Sequence, residues 1–82
     1  MPLSVHLWSA LRRYTDGREV VEVDATNIGT MLAALERDWP GLAPAIAAGV
    51  SVSVDGRIIA NSLTEPLSPD NEIYLLQRLK GG

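Results

Sequence analysis

The sequence ends Leu79-Lys80-Gly81-Gly82, and these residues point most directly to chemistry. Gly81 and Gly82 carry no side chain, so the backbone there can enter a slot too narrow for any Cβ and present a bare carboxylate inside it. A carboxylate is inert toward nucleophiles until something activates it. The pattern therefore predicts a substrate for another protein, with no catalysis of its own. The competing reading is a chain end without a task, since termini commonly fray; the residues upstream must decide. Arg78 and Lys80 stand just before the doublet. Both can pair with acidic groups on a partner, which orients and speeds docking more than it strengthens it; a merely solvated tail is the alternative. Lys80 is also the only lysine, so few amines exist for an activated carboxyl to attack, or through which lysine-linked chains could be built.

No other set of residues competes with this one. His6 is the only histidine and there is no cysteine, so a metal site would have to be made of carboxylates, and none is expected. The lack of cysteine also removes disulfides and thiol nucleophiles. Asp16, Asp55 and Asp70 lie next to or near Gly, Pro or Asn in turn-forming stretches, which accounts for them without acid–base work. Ser51 and Ser53 have no base in register, and no Gly-x-x-x-x-Gly-Lys phosphate loop occurs. Trp8 and Trp39 read as core or partly buried anchors. Base stacking would need a basic groove, whereas the formal charge is -3 and the pI about 4.9. Nucleic acid and anionic membrane surfaces are therefore not expected partners.

Eighty-two residues make one small domain, with apolar residues at 46% and charged residues at 21%, near globular averages. The start, Met1-Pro2-Leu3-Ser4, has no basic region before an apolar stretch, and no run of about 18 apolar residues occurs. We expect a soluble cytoplasmic protein. Leu3, Val5 and Leu7 alternate with polar residues, the period of a strand with one buried face. Ser9 to Leu11 with Arg12 and Arg13 fits a short helical turn closed by Thr15-Asp16-Gly17. Arg18 to Asp24 reads as an outer strand with Val21 and Val23 inward. Ile28, Met31, Leu32, Leu35 and Trp39 fall at helical spacing. Asp24 or Thr26 is the expected cap and Pro40-Gly41 the stop. Gly29 in the first turn of that helix costs about 1 kcal/mol against alanine and predicts fraying or a close backbone approach.

Leu42 to Gly49 fits an alanine-rich link holding a short second helix, with Leu42 and Ile46 covering the sheet edge. Val50, Val52 and Val54 alternate with serines and lead through Asp55-Gly56 to Arg57-Ile58-Ile59, a hairpin pattern. Ser68-Pro69-Asp70-Asn71 is a tight turn, after which Ile73 and Leu75 face inward and Tyr74 and Leu76 outward. Tyr74 and Leu76 would then form an apolar patch beside the tail at about 78–82, where a partner can dock. They can equally be ordinary sheet residues.

The order strand, strand, helix, strand, strand, strand is an α+β arrangement: a mixed sheet of about five strands with one main helix on one face. It resembles the ubiquitin-like β-grasp, and within it the sulfur-carrier family of MoaD and ThiS. The resemblance spans essentially residues 1–82 as a single domain. It rests on Val5-His6-Leu7-Trp8-Ser9-Ala10-Leu11-Arg12, on Ile28 to Leu35, on Val54-Asp55-Gly56-Arg57 through Pro66 to Ile73, and on Gly81-Gly82. The long Ser9 to Gly17 connection resembles the MoaD-like branch. The resemblance implies a carrier rather than an enzyme. An E1-like adenylyltransferase would use ATP to adenylate Gly82, and a sulfur donor, a sulfurtransferase, would convert it to a thiocarboxylate. An acceptor such as a molybdopterin synthase large subunit would then take the sulfur. Gly81 would thread the slot, Tyr74, Leu76, Arg78, Leu79 and Lys80 would meet the partner, and no cofactor would be bound permanently. The Arg78-Leu79-Lys80-Gly81-Gly82 end is more basic than is usual for MoaD and is similar to the end of ubiquitin. A modifier joined to target amines therefore stands as the alternative, beside an interaction domain that is never activated.

Overall fold

Alternation of β-branched and polar residues builds most of the sheet. In the computed structural model, which describes residues 2–59 and 62–77, β1 (Leu3–His6), β2 (Val20–Val23), β3 (Val50–Val54), β4 (Arg57–Ile59) and β5 (Ile73–Gln77) form one sheet in the order β2-β1-β5-β3-β4. Only the central β1–β5 pair is parallel, with Val5 opposite Ile73 and His6 opposite Tyr74. The other pairs are antiparallel. β2 is an outer strand, as its acidic exposed positions predict. It spans four residues, shorter than Arg18 to Asp24, because its pairing to β1 begins at Val20.

The helix α1 (Ile28–Asp38) covers one face of this sheet. Its buried side chains Ile28, Met31, Ala34 and Leu35 join Leu3, Val5, Val21, Val23, Val52, Val54, Ile73 and Leu75 in one core. Each large aliphatic side chain so buried contributes about 1.5–3 kcal/mol. The cap is Asn27, and not Asp24 or Thr26: its Oδ1 accepts the Thr30 N–H at 2.8 Å, while Thr30 Oγ1 accepts the Asn27 N–H at 3.1 Å. Two further N–H groups at this end donate to the loop before β5, Ile28 to the Glu65 carbonyl (3.1 Å) and Gly29 to the Leu63 carbonyl (2.8 Å). The first turn is thus held and not frayed. The helix stops at Asp38, and Pro40–Leu42 forms a 3-10 turn leading into the short α2 (Ala43–Ala48). Leu42 does not cover a sheet edge; it is fully buried within the core, and Ile46 packs against that core from outside. The edges belong to β2 and β4.

Two turns use left-handed backbone. Asp16 (φ 55°) and Gly17 (φ 80°) follow the 3-10 turn Ser9–Tyr14, and the buried Thr15 hydroxyl lies 3.0 Å from the Arg18 carbonyl and 3.3 Å from that of Arg12. Asp55 (φ 52°) and Gly56 (φ 85°) make the tight β3–β4 turn. The Asp55 carboxylate also accepts from Asn71 Nδ2 and from the Glu72 N–H, each at 2.7 Å, so one side chain ties this hairpin to the start of β5.

A Cβ on Gly29 would lie 3.1 Å from the Leu63 carbonyl oxygen, the same atom that accepts the Gly29 N–H. Helix propensity favours alanine by about 1 kcal/mol, but relieving the contact loosens the hydrogen bond, which is worth about 0.5–1.5 kcal/mol. Gly29→Ala is therefore expected to leave the melting temperature nearly unchanged, without the gain that alanine brings to an unobstructed helix. Asp55→Ala is expected to cost about 1–3 kcal/mol in urea unfolding, and Asp55→Asn, which tolerates the same backbone, clearly less.

Candidate docking face and the strand that leads to the tail

The face of the sheet opposite α1 is where the predicted contact residues gather. Register sets Val20 beside His6, His6 beside Tyr74, Tyr74 beside Ser53 and Ser53 beside Ile58. These five residues form one row across all five strands, about 19 Å wide at ~4.8 Å per strand. Val20, Tyr74 and Ile58 are exposed, Ile58 by 58%. At the centre the His6 and Tyr74 rings stack with centroids 4.4 Å apart and planes 22° apart. This gives the single histidine an aromatic partner. Among the described residues no group of three or more His, Asp or Glu side chains could hold a metal ion.

Tyr74 and Leu76 lie on this outer face, as the alternation of β5 predicts. Tyr74 is exposed and Leu76 half-buried, the latter one row nearer the C-terminal end of β5 and opposite Ser51. Ser53 also belongs to this face. It is buried because Tyr74 and Ile58 flank it across the strands. On the other side of the row stand Glu22, paired with Ser4, and Glu72. The face is therefore an apolar band with a carboxylate border at one side and Leu76 at the other. Arg78, Leu79, Lys80, Gly81 and Gly82 lie outside the described residues; in sequence they follow directly from Gln77, the last residue of β5.

Sequence reasoning singled out Tyr74 and Leu76 but not Val20, His6 and Ile58, which complete the band. His6 stands between the buried Val5 and Leu7, whereas Val20 and Ile58 each have an exposed neighbour, Glu19 and Arg57. Strand order was needed to see that the five fall in one row. Elsewhere, Trp8 and Trp39 pack half-buried against the core as anchors. Tyr14 lies against Gly41, where an added Cβ would come within 3.0 Å of the Tyr14 Cβ. No described helix is long and apolar enough to cross a membrane.

Glu72 holds the Tyr74 phenol above its ordinary value, chiefly through side-chain hydrogen bonding and then through its negative charge. A raised phenol pKa favours the protonated folded form. Any stabilisation from the pair is therefore complete below the ordinary phenol range and is lost as pH rises through the folded value. Tyr74 stays neutral at physiological pH, as an apolar contact surface needs. In a Tyr14→Phe background, which leaves one tyrosine to read, Glu72→Gln is expected to move the tyrosinate absorbance titration to lower pH.

No protein-family model matches the sequence, and no curated protein does. Solved structures do match. A chain of the Amycolatopsis orientalis BexX/CysO complex superposes with a TM-score of 0.79 at 18% identity, over 98% of this chain and 99% of that one. SAMP1 from Haloferax volcanii gives 0.78 at 23% identity over the whole of both chains. A chain of the complex between subunits 1 and 2 of molybdopterin-converting factor from Helicobacter pylori gives 0.69 at 21% identity, again over the whole of both. At such identities the likeness is one of fold, and the fold of this chain is the α+β ubiquitin-like β-grasp.

Proposed function

We propose that this protein is a sulfur carrier whose reactive group is the carboxylate of Gly82. The observation that carries the reading is the placement of the diglycine. It follows, after Arg78-Leu79-Lys80, from the central strand β5, which also presents Tyr74 and Leu76 on the apolar outer face. A partner that docks on this face is placed beside the strand end from which the tail continues. Five residues extended at ~3.3 Å each reach about 16 Å, enough to thread a narrow channel. Full-length likeness to CysO and to a chain of molybdopterin-converting factor supports the same reading.

In this reading an E1-like adenylyltransferase uses ATP to convert the carboxylate oxygen into a good leaving group, AMP. A sulfur donor then displaces AMP and leaves a thiocarboxylate, which an acceptor enzyme consumes in making a molybdopterin-like cofactor or another sulfur-containing metabolite. The carrier supplies the docking face and the acyl group. The partners supply the catalysis, in the cytoplasm where ATP is available. Arg78 and Lys80 orient the tail against acidic groups of the partner. A second reading, a modifier joined to target amines, draws on the likeness to SAMP1, a small archaeal modifier protein, and on the basic residues before the glycines.

Intact mass of the protein isolated from its own cell separates these readings. Replacement of one oxygen by sulfur at the C-terminus is expected. Branched species joined through target amines would favour the modifier, and an unmodified chain in the presence of an E1-like enzyme and ATP would defeat both. Deleting Gly82 is expected to abolish activation while leaving the melting curve unchanged.

A further inference from the structure

The two open edges of the sheet, β2 and β4, differ in what they present. Asp55 donates its N–H to the Glu72 carbonyl at 2.9 Å, so Ser53 and Asp55 turn their backbone groups toward β5, while Val52 and Val54 turn theirs toward β4. Val54 pairs with Arg57 and Val52 with Ile59. Between them Ile58 is left with its N–H and C=O directed away from the sheet, at the open edge. Its side chain, on the outer face, is 58% exposed, more than that of any other large apolar residue in the described strands. At the opposite edge the Leu7 N–H donates to the Glu19 carbonyl at 2.9 Å, so Val20 and Glu22 are the outward-directed residues of β2. Glu22 stands within that strand, and Glu19 and Asp24 flank it. Carboxylates along an edge strand oppose its pairing with a second copy of itself. β4 carries no acid, and its one charge is Arg57.

We propose that β4 is a self-association edge, through which a second copy of this chain pairs antiparallel with Ile58 opposite its own counterpart on a twofold axis. Side-chain alternation requires residues of the outer face to meet residues of the outer face. With Ile58 on the axis, each copy supplies the N–H that the other's Ile58 carbonyl accepts, and the two side chains become neighbours on that face. In the flanking pairs Arg57 of each copy stands opposite Ile59 of the other. The aliphatic stem of Arg57 then covers the half-buried Ile59, and the two guanidinium groups are not opposed. A register centred on Arg57 instead would oppose like charges and set Ile58 against Gly56, which has no side chain to pack. The row of Val20, His6, Tyr74, Ser53 and Ile58 continues into its twin, about 43 Å across ten strands at ~4.8 Å per strand. Both outer faces lie on the same side, and β5 is two strands from the junction in each copy, so Tyr74 and Leu76 stay uncovered. Three paired residues a side make a small interface, well below that of a permanent dimer, so the pair is weak and dissociable. It forms whether or not Gly82 is activated.

The test follows the full chain by sedimentation equilibrium from micromolar to millimolar concentration, with amide hydrogen exchange measured at both ends of that range. The mean mass is expected to rise toward that of two chains. Exchange at the Ile58 amide is expected to slow as concentration rises, while exchange at Val20 and Glu22 does not change. Ile58→Lys sets two ammonium groups side by side on the axis and is expected to weaken the dimer at least about tenfold, with a melting curve that matches the wild type at high dilution. Leu63→Lys removes a comparably exposed apolar side chain outside the strands and is expected to dimerise as the wild type does. A chain that stays monomeric at millimolar concentration would overturn the proposal. So would a dimer that survives Ile58→Lys, one lost equally in Leu63→Lys, or one that slows exchange along β2 and not at Ile58.

Discussion

The parallel pairing of β1 with β5 is the contact on which the rest of the structure depends. It joins segments roughly 70 residues apart, and closing so long a loop costs about 4 kcal/mol in chain entropy. Leu3, Val5, Ile73 and Leu75 on these two strands are almost completely buried. Together they contribute about 6–12 kcal/mol at 1.5–3 kcal/mol each, so burial outweighs closure. The antiparallel pairs extend the sheet outward from this centre: β2 on β1, and the β3–β4 hairpin on β5.

The same pairing organises the outer face. His6 and Tyr74 stack because they are opposite each other in the one parallel ladder. The exposed apolar residues of the edge strands, Val20 and Ile58, are in line with that stack because register carries its level outward. The Asp55 carboxylate, bonded to Asn71 and the Glu72 N–H, holds the start of β5 against the β3–β4 turn, and Glu72 raises the pKa of the Tyr74 phenol. A chain of short-range contacts thus runs from one turn to the middle of the outer face.

The helical layer is anchored at its N-terminal end by the loop before β5. The Glu65 and Leu63 carbonyls occupy the N–H groups that Asn27 leaves free. At Gly29 the Leu63 carbonyl oxygen comes within 3.1 Å of where a Cβ would be, and the first turn is held there and not frayed. At the other end of the layer, Tyr14 lies on Gly41 and Arg18 over Trp39, which fixes the Ser9–Tyr14 turn beside the sheet end that precedes the tail.

Most elements were legible because their signals are local. The alternation of Leu3, Val5 and Leu7, the Asp55-Gly56 turn and the helical spacing of Ile28, Met31 and Leu35 each require only neighbouring residues. Where local reasoning erred, distant segments decided. The Asn27–Thr30 box outcompetes the nearer-looking caps as the loop before β5 closes over the helix start. Leu42 enters the core because the 3-10 turn after Trp39 redirects it, and Ser53 is buried by side chains from two other strands. The diglycine, the lone lysine and the alternation of Tyr74 and Leu76 belong to the sequence by itself, since composition and period suffice to state them. The apolar band on the outer face exists only in the tertiary structure. Strand order and register, which no local pattern encodes, bring Val20, His6, Tyr74, Ser53 and Ile58 into one row.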